Sequence, residues 1–587
     1  MRISDVEKQT GLTRKTIRFY EAKGLLTVGR SDNSYRDYDE AVVAELRRIV
    51  ILRKAGISLS DVQLWQSEVI TWPEMIHKRL HELRDAADAA SEQTDLCRAL
   101  LDRGLDHAVS HHFDEPFTET IPTAEPEKPA DLCAGIDIGT TTISAVVLSP
   151  ESLRAEATYT FNANASLAAD EPWERTQDAR LILARVRRLL DFLLERFPAV
   201  RSIGFSGQMH GILYLDAKGE AVSPLYTWQD GRAGLGSPSV CERIEKRTGY
   251  HLSPGYGIAT HVYNRENGLV PPDAVMLSTV MDYVAASLCG LTRPVSHSSN
   301  AASLGLYRAD RNDFDPDALN RLGIGRDFLP RVVDTPSVIG DYRGIPVSVP
   351  IGDNQASFLG AVRDPETAAL ANFGTGSQIS VLLRPGEENS PALRLSPSVE
   401  VRPMGGGRSL ACGSSLCGGR AYAMLERFFR SYLDACGIPA GEQYEVMNRL
   451  ALEGLRKAPL SVVTSFCGTR EDPGALGWIG GISEDGFTPD ALIAGFVRGM
   501  AGELSDLYRG IPHGGIRTLV VSGNAARKNP ALREALGEAF GLDIILPDSM
   551  EEAACGAAIF SARASTHRAS AQTADSSEPN DQSEQNP

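Results

Sequence analysis

Two strand–turn–strand units place the tightest limit on how this chain can fold. In the first unit, the apolar runs 132–138 and 143–148 flank a short turn of Gly and Thr. In the second, residues 369–383, one apolar run leads into Gly-Thr-Gly-Ser and another leaves it. Glycine allows close backbone approach, while Thr and Ser add hydroxyl and N–H donors that suit phosphate oxygens. A single unit is also an ordinary hairpin, but two copies predict two related lobes with phosphate-binding turns at a shared cleft.

The turns supply the candidate phosphate ligands. They are Gly139, Thr140, Thr141 and Thr142 in the first unit, and Gly374, Thr375, Gly376 and Ser377 in the second. Asp137 precedes the first turn, and its carboxylate would repel a phosphate unless a divalent cation such as Mg²⁺ lay between them. The first turn is not a P-loop, which needs Gly-x-x-x-x-Gly-Lys-Ser/Thr ahead of a helix.

A further acidic residue, Asp353, follows the apolar run 347–351 and so lies at a strand end that opens on the same cleft. A carboxylate there can take the proton from an attacking hydroxyl in phosphoryl transfer. It can also cap the helix that begins at Gln355, and the two roles are compatible. The small residues at 552–558 leave two alternatives, close approach of a purine ring or tight helix packing.

Composition limits the class of protein. The chain has 587 residues, 42% apolar and 23% charged, which fits a soluble globular protein of about three or four domains. The nine Cys are scattered without a Cys-x-x-Cys pair, no apolar run reaches about 18 residues, and the first residues lack a signal-peptide core. We therefore expect a cytoplasmic protein with no membrane contact. The net charge of −17 means that any DNA contact needs a local basic region.

Such a basic region opens the chain, because residues 1–60 carry twelve Lys or Arg against eight Asp or Glu. Residues 3–10 predict a helix that ends at Gly11, and Thr13 can cap a second helix through Tyr20. This spacing is typical of a helix–turn–helix. A small wing at 35–38 and two more helices, over 39–55 and 58–66, are expected to follow.

Three segments of this region, GLTRKTIRFYEAKGLL, YRDYDE and LRKAGISLSDV, resemble the DNA-binding domain of MerR-type transcriptional regulators. We assign residues 1–70 to this domain. The resemblance implies contacts with double-stranded DNA, in the major groove or its phosphates by Arg14, Lys15, Arg18 and Tyr20, and on the backbone beside the wing by Arg36 and Tyr38. The alternative is a helical protein–protein module with a solvated basic face.

Residues 73–105 predict one long helix. Its apolar and small residues alternate spacings of four and three, in a heptad seam formed by Ile76, Leu80, Leu83, Ala87, Ala90, Thr94, Cys97 and Leu101. Such a seam favours a coiled-coil homodimer, and MerR-type regulators have their dimerisation helix here, so we assign 73–107 to it. A single helix packed on the next domain is the alternative. Residues 108–131 are expected to be an exposed linker, and 566–587 a disordered tail.

The body of the chain, 132–565, alternates strand and helix patterns as α/β proteins do. Its motifs occur in the order GIDIGTTTIS at 135–144, SGQMHGI at 206–212, TWQDGR at 227–232, MDYVAASLCG at 281–290, SSNAAS at 298–303, GDNQASFLGA at 352–361, FGTGSQIS at 373–380 and SGNAARKNPALREAL at 522–536. Together they resemble the FGGY carbohydrate kinases. The implied fold class is multidomain: an all-α winged helix–turn–helix with a coiled-coil helix, then an α/β two-lobed actin-like, or RNase H-like, sugar kinase with lobes at 132–366 and 367–565.

The resemblance to the kinases also implies roles for single residues. Asp353 becomes the catalytic base that activates a sugar hydroxyl, and Asp137 helps to hold Mg²⁺ against the phosphates of ATP. The implied sugar-binding residues are Gln208, Met209, His210, Asp230 and Asn354, with Trp228 and Arg232 as pocket or support residues. The residues implied near adenosine are Gly523, Asn524 and Asn529. His210 has the alternative role of a loop histidine with a structural hydrogen bond.

We therefore expect ATP-dependent phosphorylation of a ketose, coupled to transcription through the DNA-binding domain. TWQDGR, LCGLTRP and NAAS are most similar to sedoheptulokinases, whereas GQMHG and GDN also occur in xylulokinases. A sedoheptulose-like sugar is therefore the first choice and xylulose the second. The alternative is a transcriptional regulator whose catalytically weak kinase body senses sugar. It is motivated by the helix–turn–helix, the heptad seam and Ser144, which stands where relatives often have Lys or Arg.

Overall fold

The N-terminal unit of the computed structural model is helical. The structure describes residues 3–30, 36–85, 91–105, 131–394, 398–439, 441–457, 460–469, 472 and 474–575. The unit contains α1 (Ile3–Thr10), α2 (Arg14–Ala22), α3 (Glu40–Lys54), α4 (Leu59–Gln66), α5 (Trp72–Asp85) and α6 (Ser91–Arg103), with a wing of β1 (Gly29–Arg30) and β2 (Arg36–Asp37). Thr13, Asp39 and Ser58 cap α2, α3 and α4 with their side chains, as such residues do before a helix.

The prediction of one continuous helix over 73–105 is wrong, because α5 and α6 pack against each other. Trp72 Nε1 donates to the Leu100 carbonyl oxygen at 3.2 Å, and Arg79 Nη2 donates to Gln93 Oε1 at 2.7 Å. The start of one helix therefore lies beside the end of the other. The seam residues Ile76, Leu83 and Cys97 are buried within this chain rather than left for a second copy. The predicted linker lies outside the described residues, except for Asp131.

The first lobe holds a mixed sheet. Its strands are β3 (Leu132–Ile138), β4 (Thr142–Leu148), β5 (Ala155–Asn162), β6 (Thr176–Gln177), β7 (Val200–Gly207), β8 (Leu213–Leu215), β9 (Leu225–Tyr226), β10 (Met276–Ser278), β11 (Val295–His297), β12 (Tyr307–Arg308), β13 (Asp313–Phe314), β14 (Arg331–Val333), β15 (Val338–Tyr342), β16 (Ile345–Ser348) and β17 (Ile351–Gly352). Its helices are α7 (Ala179–Arg196), α8 (Val240–Thr248), α9 (Gly257–Glu266), α10 (Val280–Leu288), α11 (Ser298–Leu304), α12 (Pro316–Leu322) and α13 (Asp353–Ala361). The main sheet has the order β15-β16-β7-β3-β4-β5, and β17 also pairs with β7.

The second lobe repeats this design. Its strands are β18 (Ala368–Phe373), β19 (Ser377–Leu382), β20 (Val399–Gly405), β21 (Arg408–Ser415), β22 (Ser461–Val463), β23 (Trp478–Gly480), β24 (Thr518–Ser522) and β25 (Asp543–Ile545). Its helices are α14 (Pro391–Arg394), α15 (Gly418–Ala435), α16 (Tyr444–Leu455), α17 (Pro489–Arg509), α18 (Asn524–Lys528) and α19 (Pro530–Phe540), and α20 (Glu552–Asp575) ends the described chain.

The two main sheets have matching topology. Each sheet has three antiparallel strands, which are β3-β4-β5 in the first and β18-β19-β21 in the second. On the other side of β3 follow the parallel strands β7 and then β16, and on the other side of β18 follow β24 and then β25. Both strand–turn–strand units noted in the sequence are the first hairpins of these sheets. The structure therefore confirms the prediction of two related lobes.

Helix α20 returns from the second lobe and packs on the sheet of the first. A Cβ atom on Gly135 would lie 1.9 Å from the Ala554 carbonyl oxygen, and one on Gly556 would lie 1.8 Å from the Ala356 carbonyl oxygen. The small residues at 552–558 therefore serve tight packing, which is one of the two alternatives that the sequence left open. Helix α20 also corrects two boundaries, since it belongs to the first lobe despite the assignment of 367–565 to the second, and it extends through 566–575 of the predicted disordered tail. Residues 576–587 lie outside the described residues.

The helical unit shares one apolar core with the first lobe. Ile17, Tyr20 and Leu46 of the unit belong to the same buried cluster as Ile136 and Leu189 of the lobe. The unit is therefore packed on the kinase-like body in this structure. None of the helices in the described part of the chain is long and apolar enough to cross a membrane.

Candidate active site

A cavity of about 440 Å³ lies between the lobes, and residues of both line it. It brings together five residues that the sequence predicts for the site: Asp137, Met209, His210, Asp353 and Asn354. Trp228 also lines it, and the second lobe adds Asn372, Gln378, Ser380 and Arg402. Ligand pockets with a few convergent polar groups are typical of interfaces between domains.

Asp353 is the first residue of α13, with Gly352 at the N-cap position. The alternative role as a capping side chain is wrong, because α13 has no side-chain cap hydrogen bond. Burial raises the pKa of Asp353 to about 6, although the backbone N–H of Asn354 and the charge of Arg402 act in the opposite direction. The carboxylate is therefore ionised at neutral pH and still basic enough to accept a proton.

Asp137 is the second carboxylate of the cavity, and it lies near the end of β3. Ser206 Oγ donates to Asp137 Oδ1 at 2.7 Å. Burial, together with the negative charge of Asp353, raises the pKa of Asp137 to about 7. A buried carboxylate beside another negative charge fits a hard divalent cation, which prefers oxygen ligands and would offset that repulsion.

His210 has a strained backbone that is held by hydrogen bonds. Its φ of 72° lies in the left-handed region, which costs free energy for a residue other than glycine. Its backbone N–H donates to Ser303 Oγ at 3.1 Å, and its Nδ1 donates to the Ser303 carbonyl oxygen at 2.7 Å. The ring packs against Tyr256 with 4.5 Å between centroids. Because Nδ1 carries the proton, Nε2 is the accepting nitrogen.

Asn354 links the two lobes at the cavity wall. Its Nδ2 donates to Gln378 Oε1 at 2.8 Å and lies 3.3 Å from Ser380 Oγ, both on β19. Cys412 Sγ, on β21, donates to Asn354 Oδ1 at 3.1 Å. This amide is therefore fixed in orientation by the second lobe.

Arg402, Asn372, Gln378 and Ser380 are site residues that the sequence reasoning missed. Gln378 and Ser380 belong to the quoted motif at 373–380 but follow its turn, Asn372 directly precedes that motif, and Arg402 lies outside every quoted motif. The available signal was the alternation of polar Gln378 and Ser380 in an otherwise apolar strand, which places both on one face. Arg402 is held in an ion pair with Glu400, with 2.7 Å between Nη2 and Oε2.

Two predicted sugar ligands, Gln208 and Asp230, lie behind the cavity instead of in its lining. Gln208 is buried and donates from Nε2 to Gln177 Oε1 at 2.8 Å. Asp230 is buried, pairs with Arg232 at 2.7 Å and accepts the Arg175 N–H at 3.0 Å. Both therefore support neighbouring loops, which corrects the prediction of direct sugar contacts.

Trp228, by contrast, is 48% exposed at the cavity and donates from Nε1 to Thr140 Oγ1 at 3.0 Å. This hydrogen bond joins the predicted sugar pocket to the first phosphate turn. Gln177 Nε2 donates to the Thr140 carbonyl oxygen at 2.6 Å, which is a second hydrogen bond that holds the same turn. Neither phosphate turn itself contributes to the lining of the 440 Å³ cavity.

The second phosphate turn lies against the start of α15. Gly419 N donates to the Gly374 carbonyl oxygen, and Arg420 N to that of Thr375, each at 3.0 Å. A Cβ atom on Gly376 would lie 2.6 Å from the Ser415 carbonyl oxygen, so this position requires glycine. Ser377 begins β19.

The residues predicted near adenosine fall into two groups. Gly523, at φ 94°, precedes α18, which begins at Asn524, and a Cβ atom on Gly523 would lie 2.2 Å from the Phe373 carbonyl oxygen. Asn529 is buried and caps α19 by accepting the Leu532 N–H at 3.2 Å. The Oδ1 atom of Asn529 is therefore used within the fold, and a contact of this residue with the nucleotide stays a prediction.

The predicted DNA-binding residues also divide into two groups. Arg14, Lys15 and Arg18 are exposed on α2, and Arg36 lies on the wing in an ion pair with Glu21 at 2.8 Å. Tyr20 and Tyr38 are buried, with 0% and 1% of their surface exposed. The prediction that these two phenols contact DNA is therefore wrong, since both complete the core of the helical unit.

Comparison with known proteins gives separate matches for the two parts of the chain. Residues 1–68 match the MerR HTH family of regulatory proteins, and residues 132–370 match the N-terminal domain of the FGGY family of carbohydrate kinases. A sedoheptulokinase of Mus musculus is 27% identical over 463 residues, which is 72% of this chain and 96% of that protein.

A second relative matches only the N-terminal unit. The HTH-type transcriptional regulator CueR of Salmonella typhi is 50% identical over 62 residues, 10% of this chain and 45% of that protein. Among solved structures, a ligand-bound xylulose kinase from Lactobacillus acidophilus superposes with a TM-score of 0.63 at 19% identity, covering 74% of this chain and 90% of that one. This likeness supports the two-lobed fold.

Proposed function

Since the chain joins a MerR-type helix–turn–helix domain to an FGGY-family carbohydrate kinase domain, we propose that it phosphorylates a ketose with MgATP and regulates transcription in response to that sugar. The observation that carries the kinase half is the pair of carboxylates, Asp137 and Asp353, in one cavity between the lobes. A proton acceptor and a cation ligand at the same site are what phosphoryl transfer to a hydroxyl needs.

In the proposed reaction, Asp353 accepts the proton of a sugar hydroxyl as that oxygen attacks the γ-phosphoryl group. Its pKa of about 6 leaves it ionised at neutral pH. His210, Asn354 and Trp228 orient the sugar, and closure of the lobes keeps water from competing with it. Asp137, with the turn at 139–142, would hold Mg²⁺, whose charge would neutralise the phosphate oxygens of ATP.

We propose a sedoheptulose-like ketose as the substrate and xylulose as the second choice. The first choice is supported by the mouse protein named a sedoheptulokinase, because 96% of its length aligns with this chain. The hydrogen-bonding side chains that line the cavity decide which sugar hydroxyls fit.

The ketose is tested by incubating the purified chain with MgATP and a panel of sedoheptulose, xylulose, ribulose and fructose, while ADP release and the sugar phosphate are measured. We expect the highest kcat/KM with sedoheptulose. A higher value with xylulose would make the second choice correct, and no ketose-dependent ADP release would contradict the kinase half.

The regulator half rests on the exposed Arg14, Lys15 and Arg18 on α2. Binding through such residues is strongest at low salt, because phosphate contacts release counterions. A gel-shift assay with duplex DNA, at low and at moderate salt, tests it. Absence of binding at low salt would contradict this half.

A second candidate function is a regulator whose kinase body senses sugar with little catalysis. The favouring observation is that Ser144 is buried, where the resemblance to FGGY kinases implies a Lys or Arg near the phosphates. DNA affinity that changes with sugar, without sugar-dependent ADP release, would select this candidate.

A further inference from the structure

Hydrogen bonds, in addition to the shared apolar core, hold the helical unit on the first lobe. Glu74 of α5 accepts from Arg185 Nη2 of α7 at 2.6 Å and from Asn164 Nδ2 at 2.7 Å. Burial disfavours the charged form of Glu74, but hydrogen bonds from Thr71, Arg185 and Asn164 outweigh it and lower its pKa to about 2. This ion pair is therefore present throughout the physiological pH range.

The same lobe also contacts the end of the DNA-reading helix α2. Arg196 Nη2, at the end of α7, donates to the Ala22 carbonyl oxygen at 2.9 Å. Tyr159 OH of β5 donates to Gln63 Oε1 at 3.1 Å, and Gln63 Nε2 donates to the Lys23 carbonyl oxygen at 2.6 Å. A shift of β5 or α7 would therefore change the position of α2.

Thr160 of β5 lies between this contact and the catalytic cleft. Its carbonyl oxygen accepts from Lys78 Nζ of α5 at 2.8 Å. Its Oγ1 donates to Glu551 Oε1 at 2.8 Å and lies 3.2 Å from Ser144 Oγ. Ser144 pairs with Asp137 on one side and with Thr160 on the other, so the three side chains share one face of the sheet, while the carbonyl of Thr160 bonds to the helical unit.

Glu551 accepts the hydrogen bond from the Thr160 hydroxyl. It directly precedes α20, which packs on the first sheet and on α13, the helix that begins with Asp353. The chain reaches Glu551 from the second lobe, because β25 ends at Ile545. The Glu551–Thr160 hydrogen bond therefore connects a segment that leaves the second lobe to the strand that carries the helical unit.

On the basis of the proposed function, we propose that Thr160 is a positioning residue that couples occupancy of the catalytic cleft to DNA affinity. Glu551 lies where the chain passes from the second lobe to α20, so a movement of the second lobe on binding sugar and MgATP would act on Glu551, while β5 stays with the first lobe. The Glu551–Thr160 hydrogen bond carries this movement to Lys78 and to the end of α2. A ligand shifts such an equilibrium only by its difference in affinity for the two states, and the effect is reciprocal.

The experiment uses the full chain and a DNA duplex that the wild-type protein enriches from a random-sequence pool. The dissociation constant for this duplex is measured without ligand, and then with the ketose that supports turnover plus a non-hydrolysable ATP analogue and Mg²⁺. Four proteins are compared: wild type, Thr160→Val, Thr160→Ser and Thr158→Val. Thr158 lies on the same strand but is exposed, so Thr158→Val is the matched control.

We expect the ligands to change the wild-type dissociation constant by about 5-fold or more, which is the usual range of allosteric coupling. Thr160→Val should lose most of this change while keeping its ketose turnover, whereas Thr160→Ser and Thr158→Val should behave like wild type. A full response in Thr160→Val contradicts the coupling role. DNA binding by wild type without any ligand response contradicts it as well, and leaves the regulator half of the proposed function standing.

No DNA binding by wild type at low salt would instead contradict the regulator half itself, and the coupling role with it. Fold is checked in each variant by thermal unfolding. If Thr160→Val unfolds at a much lower temperature, Thr160→Ala and Lys78→Met are measured instead. Thr160→Ala removes the hydrogen bond to Glu551, and Lys78→Met removes the hydrogen bond to the Thr160 carbonyl oxygen. Loss of the ligand response in both supports the role of Thr160, and a full response in both contradicts it.

Discussion

At the scale of single residues, the protonation of two buried carboxylates sets the chemistry of the cleft. Burial raises the pKa of Asp353 to about 6, and burial together with the charge of Asp353 raises that of Asp137 to about 7. At neutral pH, Asp353 is therefore ready to accept a proton. A cation bound at Asp137 would favour its ionised form, because opposite charge lowers the pKa of a carboxyl group.

The protonation of Asp353 predicts that kcat/KM falls on the acid side of its pH profile, the acid limb. A carboxyl group that is protonated cannot accept a proton, so kcat/KM should fall about tenfold per unit as pH decreases below roughly 6. The measurement is kcat/KM for the preferred ketose between about pH 5 and 8. A flat profile over this range would contradict the assignment of Asp353 as the base.

Arg402 predicts a shift of that limb. Its charge lowers the pKa of Asp353, so Arg402→Met should move the acid limb to higher pH and reduce kcat/KM more at pH 6 than at pH 8. Arg408→Met, on the same hairpin and paired with Glu366 away from the cavity, is the control. An unshifted limb in Arg402→Met would show that its charge does not act on the base.

At the scale of elements, the sequence predicted what local patterns determine. The Thr13 cap before α2 and both strand–turn–strand hairpins follow from side-chain chemistry within a few residues, and the structure has them. The heptad seam predicted an apolar face whose members Ile76, Leu83 and Cys97 are buried, but not the partner of that face, since the same pattern serves a second chain or a helix that folds back. The seam residues Ala87 and Ala90 lie outside the described residues. Tyr20 and Arg402 depend on contacts between segments distant in sequence, which periodicity does not report.

Helix α20 carries an element-scale prediction. Gly556→Ala should destabilise the protein by about 1–3 kcal/mol or more, because the new Cβ would meet the Ala356 backbone. Gly502→Ala is the matched control, since this α17 glycine has no neighbour within 4 Å of an added Cβ and the change should be neutral or stabilising. Chemical denaturation of both variants measures the difference. Equal stability would mean that α20 is not packed as the structure has it.

At the scale of the whole molecule, a helical unit that matches the MerR HTH family is packed on the first lobe of a carbohydrate kinase body. Because the seam residues Ile76, Leu83 and Cys97 are buried within this chain, we propose that a homodimer uses the outer surfaces of the α5–α6 pair instead. A dimer is expected since helix–turn–helix proteins read paired half-sites. Light scattering should give a mass twice that of the 63.3 kDa chain. A monomeric mass for protein that still binds DNA would contradict this expectation.

The central claim is that Asp353 is the base of a ketose kinase. Asp353→Asn keeps the shape of the side chain and removes the proton acceptor. Formation of the sugar phosphate from MgATP and the preferred ketose is measured for wild type, Asp353→Asn and the control Asp273→Asn, an exposed residue. We predict a fall in kcat of about 10²–10⁴-fold in Asp353→Asn, with the control unchanged. Undiminished turnover in Asp353→Asn would contradict the claim.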